Sequence, residues 1–61
     1  MRDPERIDNI TQKINEIWHH YPDLRFWQLL SCIDWEKSGD LFYLEDSKVE
    51  EILDRTRKDG I

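Results

Sequence analysis

Ile7, Ile10, Ile14, Ile17, Trp18 and Tyr21 recur at steps of three and four, the spacing that lines one face of an α-helix. Arg6, Asn9, Gln12, Lys13 and Glu16 fall between them and supply the polar face. Isoleucine is stiff at its first side-chain torsion and is not the best helix former. A helix built on it depends on burying its stripe against another element. Pro22 stops the pattern, because proline disfavours a helical residue before it and donates no backbone bond. Asp3–Pro4 marks the start as N-cap and first helical residue, and Glu5 and Asp8 complement the dipole. The spacing predicts a first helix over residues 4–20, with a surface that something else in the chain must cover.

The covering surface is expected from Pro22–Ile33, the most apolar run of the chain. At 100° per residue Phe26, Leu29, Leu30 and Ile33 share one arc, while Arg25, Gln28, Ser31 and Asp34 share the other. A strand period of two would mix polar and apolar residues on both faces. With Asp23 as N-cap the run reads as a second helix over 23–36, and Gly39 is the expected terminator or turn position. Leu41–Leu44, between turn signals and too short for a helix, reads as an extended crossover lying on the helices, with Phe42 and Leu44 inward. Ser47 with Glu50 fits a capping box, with Asp46 as a competing N-cap. Val49, Ile52 and Leu53, with Thr56 one turn on, give a third stripe that ends at Asp59–Gly60. Glu51–Arg55 and Asp54–Lys58 are oriented pairs on its outer face.

The expected fold is therefore all-α: a single domain over residues 1–61, a small three-helix bundle with one short extended crossover before the last helix. Its expected core is Ile7, Ile10, Ile14, Ile17, Trp18, Phe26, Leu29, Leu30, Ile33, Phe42, Val49, Ile52 and Leu53. With 61 residues, a chain buries only roughly 60% of its unfolded surface. One cysteine and no Cys/His ligand spacing leave no disulfide or zinc to staple it, and self-association would supply the missing burial. Cys32 itself reads as a small, half-buried packing residue and fits a reducing compartment.

The formal net charge of −5 sets the chain against DNA and anionic membranes. No apolar run reaches the length of a membrane span. Met1–Pro4 leads directly into a polar helix rather than a signal peptide, so a cytoplasmic protein is expected. No catalytic set is expected either: Cys32, His19 and His20 are the only nucleophile and base candidates, on different helices and without a glycine-rich loop. The two histidines read as complements to the dipole at a helix end. Glu16 and His20 share a face, but they lack a third ligand for a metal. We expect no cofactor, no metal and no small-molecule substrate.

An Ile-Trp helix end (Ile17–Trp18), then Pro22-Asp23-Leu24-Arg25, Gln28-Leu29, and an aromatic pair before Glu45–Asp46 together resemble a group of short bacterial and prophage proteins. The likeness runs from Arg6 to Leu53. This chain carries Trp27 where members of the group tend to have glycine. The resemblance implies no activity and no catalytic residues.

Three binding surfaces follow from the residues. Leu24, Trp27 and Trp35 fall close in angle on helix two, opposite its core stripe. Either helix two is sandwiched and this side is core as well, or the three form a protein-binding face, most simply a two-fold homodimer contact. We take the second reading and expect a non-enzymatic protein–protein interaction module. Glu45, Asp46, Glu50, Glu51 and Asp54 crowd the third helix. They read either as a solvated helix start or as the face of an acidic, phage-type inhibitor that occupies a basic nucleic-acid-binding surface. A helix-turn-helix DNA reader using Arg25 and Gln28 is disfavoured by the acidic charge. Arg25 is expected instead to pair with Glu45 or Asp46.

Overall fold

Two long helices set the frame, and they run in the same direction. The computed structural model describes residues 2–36 and 40–61. Within them lie α1 (Glu5–His20), α2 (Phe26–Cys32), a 3-10 turn (Leu41–Tyr43) and α3 (Asp46–Asp59), the all-α three-helix arrangement the periodicities predict. Packing between helices is chiefly α1 on α3. Their cross-links advance together along both chains: Arg6 to Asp46 at 2.6 Å, Lys13 to Glu50 at 3.2 Å, and Glu16 to Arg57 at 2.7 Å. A parallel helix pair needs a return path, and the segment carrying α2 and the 3-10 turn is that path.

The core closes where α2 meets this pair. Ile17 of α1, Leu29 and Ile33 from the α2 segment, and Ile52 and Leu53 of α3 form one buried cluster. Ile10, Ile14, Trp18, Leu30 and Val49 pack on it half-buried, as do Tyr21, Leu24, Trp35 and Leu44. Leu44 is inward as expected. Buried Thr56 satisfies its own hydroxyl by donating to the Ile52 carbonyl at 2.9 Å. At the far end the Tyr21 hydroxyl accepts the Ile61 N–H at 3.2 Å, clasping the last residue to the end of α1.

Several expectations are corrected. α1 begins one residue late, with Pro4 at its N-cap, although the Asp3 carboxylate does accept the Glu5 N–H at 2.9 Å. α2 spans Phe26–Cys32 rather than 23–36. Its start is delayed because residues 21–24 form a turn, Leu24 N–H to Tyr21 C=O at 3.1 Å, with the Leu24 carbonyl accepting the Trp18 indole N–H at 2.8 Å. Asp23 is therefore not the cap. The Gln28 side chain accepts the Arg25 N–H at 2.8 Å in that role. The helix ends early because Ile33 turns extended and the Trp35 indole N–H takes the Leu30 carbonyl at 2.8 Å, one of the last the helix leaves unpaired. Gly39, the expected terminator, lies outside the described residues.

Residues 41–43 are a 3-10 turn, not an extended lid. The Asp40 carboxylate starts it by accepting the Phe42 N–H at 2.9 Å, and this turns Phe42 outward to 84% exposure. Ile7 and Phe26 are exposed too, and Cys32 is an exposed free thiol rather than a packed one. On α3 the expected side-chain caps do not form. Glu45 takes the N-cap position without a side-chain bond, because the Asp46 and Glu50 carboxylates reach across to Arg6 and Lys13.

Candidate apolar interface on the α2 side

Trp27 projects from the second position of α2 and is 73% exposed. One turn on, Leu30 and Ser31 form the floor of a groove of about 460 Å³ whose other walls are Trp35 and Leu41. Each wall is held by a local device. The indole bond to Leu30 docks Trp35 against the end of α2. Asp34 accepts the Glu36 N–H at 2.9 Å, and Glu36 takes a left-handed backbone (φ 58°) that few non-glycine residues adopt. That turn is braced by α3: Lys48 lies 3.0 Å and Arg55 3.5 Å from the Glu36 carboxylate, and Arg55 donates to the Asp34 carbonyl at 2.9 Å. The hydrogen bond from Lys48 holds the Glu36 carboxyl below the usual carboxylate range, with Arg55 adding to it, and raises Lys48 in turn.

Beyond Leu41, Phe42 and Tyr43 stand out of the surface, their rings edge to face at 5.0 Å, with Tyr43 75% exposed. On the other side of Trp27 the aromatic surface continues into Phe26, at 5.3 Å between ring centres, and from there to Trp18 at 5.6 Å. Among the described residues the other exposed large apolar side chains are Ile7 and Ile61.

The predicted trio of Leu24, Trp27 and Trp35 is thus divided. Trp27 and Trp35 line the same groove, and Leu24 faces His20, Tyr21 and Pro22 near the end of α1. Leu41, Phe42 and Tyr43 are the members that sequence reasoning missed. The clue was present in Asp40, a residue suited to starting a short turn two residues before Phe42.

The predicted acidic set is engaged within the chain. Glu45 lies 3.4 Å from Arg2, Asp46 2.6 Å from Arg6, Glu50 3.2 Å from Lys13, and Glu51 3.6 Å from Lys48. Asp54 sits 3.6 Å from Lys13 and 3.1 Å from Arg57. Three of these six pairs reach α1, and the others are with Arg2 and within α3, in place of the expected Glu51–Arg55 and Asp54–Lys58 pairs. Arg2 and Arg6 occupy the carboxylates expected for Arg25. Glu16 is likewise held below the ordinary range, first by Arg57 and then by Gln12. Its carboxylate therefore points to α3 rather than pairing with His20. Gln28, a candidate base reader, serves as the cap of α2. Among the described residues no three His, Cys, Asp or Glu side chains are grouped to hold a metal, and no helix is long and apolar enough to cross a membrane.

No family model, curated protein or solved structure matches this chain.

Proposed function

We propose that this chain is a non-enzymatic protein-interaction module whose binding face is the aromatic strip around the Trp27–Trp35–Leu41 groove. One observation carries the reading: Trp27, Leu41, Phe42 and Tyr43, exposed at 73%, 52%, 84% and 75%, gather on the two elements that border one groove. Isolated apolar side chains on a surface are ordinary, but the largest apolar patch of a protein, typically about 300–600 Å², is often a functional one. At roughly 200 Å² per aromatic side chain, Trp27, Phe42 and Tyr43 alone present on the order of 450 Å². Tryptophan and tyrosine are also the residues that most often dominate binding energy at protein interfaces. The carboxylates of α3, matched by cations of α1 and α3, offer a basic partner less free charge than their number suggests.

The test is a photo-crosslinking amino acid at Tyr43, activated in the native host. A discrete protein adduct that disappears with Trp27→Asp is expected. Absence of any adduct, or adducts indifferent to Trp27→Asp, would overturn the interaction reading.

A further inference from the structure

We infer that the occupant of this face is a second copy of the chain, docked about a two-fold axis so that Phe42 of each copy enters the groove of the other. The inference rests on the interaction reading above and names its partner. A two-fold contact is made by one patch meeting itself, so the patch must carry both a projection and a recess. This one does. Phe42, 84% exposed at the crest of the 3-10 turn, is the projection. The recess begins at its neighbour Leu41 and is walled by Trp27 and Trp35, with Leu30 beneath. Its size suits a ring: a cavity of roughly 150 Å³ already admits benzene, and the groove measures about 460 Å³.

The area also suits a second copy. The three exposed rings, with Leu41 and the exposed part of Phe26 added, bring the apolar patch to roughly 600–700 Å². A standard interface takes about 800 Å² from each partner, so a modest polar rim completes it. The chain has reason to use it. Among the described residues its buried apolar core is five side chains, Ile17, Leu29, Ile33, Ile52 and Leu53. Domains of this size without disulfide or metal commonly gain the missing burial by oligomerising. Seating two Phe42 rings adds two enclosed apolar contacts, one per copy. The core residues stay where they are, so each copy folds on its own and the dimer forms from folded monomers.

The experiment is sedimentation equilibrium with light scattering on the full chain, from roughly micromolar to millimolar concentration, with circular dichroism as a check on folding. The wild type is expected to be a dimer that dissociates on dilution. Phe42→Asp and Trp27→Asp, at exposed positions on separate elements, are each expected to remain helical and become monomeric. Loss of an aromatic anchor weakens a contact roughly 30-fold, and two-fold symmetry applies the loss twice, so Kd rises roughly 1000-fold. An equimolar mixture of the two variants is expected to regain a weak heterodimer, because one intact projection meets one intact recess. A wild type that is monomeric throughout overturns the inference. If the Tyr43 crosslink then yields an adduct heavier than two copies, the interaction face stands and its partner is another protein. If no adduct forms, the interaction reading falls as well. A dimer indifferent to both substitutions, or a mixture that regains nothing, overturns the reciprocal seating.

Discussion

Leu29→Ala tests the packing of α2 more sharply than any other single change. Leu29 is fully enclosed, against Ile17, Ile33, Ile52 and Leu53. Truncation removes three carbons, worth about 2.4 kcal/mol at 0.8 kcal/mol each. Three elements close over the site, so little of the space collapses and a cavity term adds to this. The total expected is about 3 kcal/mol, inside the usual 2–5 kcal/mol for such a change. At roughly 0.05–0.15 kcal/mol per residue, a chain this short holds only about 3–9 kcal/mol in all. The variant should therefore melt about 12–24 °C lower, or be unfolded outright. Urea titration followed by far-ultraviolet circular dichroism measures it, in the Trp27→Asp background so that association does not enter the equilibrium. Phe42→Ala in the same background is the internal comparison. It removes a larger side chain but an exposed one, and should stay within about 0.5 kcal/mol of its parent. If Leu29→Ala costs less than about 0.5 kcal/mol, α2 presents another face, and if Phe42→Ala costs as much as Leu29→Ala, Phe42 lies on the core after all.

Trp18→Phe keeps an aromatic ring but removes the indole donor to the Leu24 carbonyl. It should cost about 1 kcal/mol and loosen residues 21–24, read as faster amide exchange there. Gly60→Ala places a methyl group at φ 85° and about 3.1 Å from the Tyr21 hydroxyl. It should cost about 1 kcal/mol in denaturant unfolding and release the Ile61 clasp, shown by a shifted Ile61 amide resonance. The lowered Glu36 carboxyl makes a signed pH prediction. Its contribution is complete above the ordinary carboxylate pKa and is lost as pH falls through the lowered folded value. Glu36→Gln should flatten the acid limb of a stability–pH curve and, because Lys48 loses the partner that raises it, soften the alkaline limb as well. An unchanged acid limb would mean that the Lys48–Glu36–Arg55 brace contributes nothing.

The features legible in the sequence are those set by residues within a turn of one another. The stripe from Ile10 to Tyr21 announces α1, and Val49, Ile52 and Leu53 announce α3. A 3.6-residue repeat is local, and any apolar partner will satisfy it. Leu29 and Ile33 were legible as core for the same reason. The limits of α2 were not, because they depend on two indole N–H groups, of Trp18 and Trp35, claiming backbone carbonyls at either end. Where those rings lie is decided by the core they pack on. The same holds for charge. From sequence, Asp46, Glu50 and Asp54 look like one acidic face and Asp46 like a cap. Only the parallel course of α1 beside α3 brings Arg6 and Lys13 opposite them, and the ion pairs then replace the caps. The candidate interface was half legible. Trp27 and Trp35 stand out as costly to hydrate, but the angle that adds Leu24 to them holds only along a helix, and α2 reaches neither Leu24 nor Trp35. Leu41–Leu44 reads as a lid from sequence because apolar residues between turn signals usually find a core. Here the core is already filled by Leu29, Ile33 and Leu44, and the Asp40 turn leaves the Phe42 ring outside it.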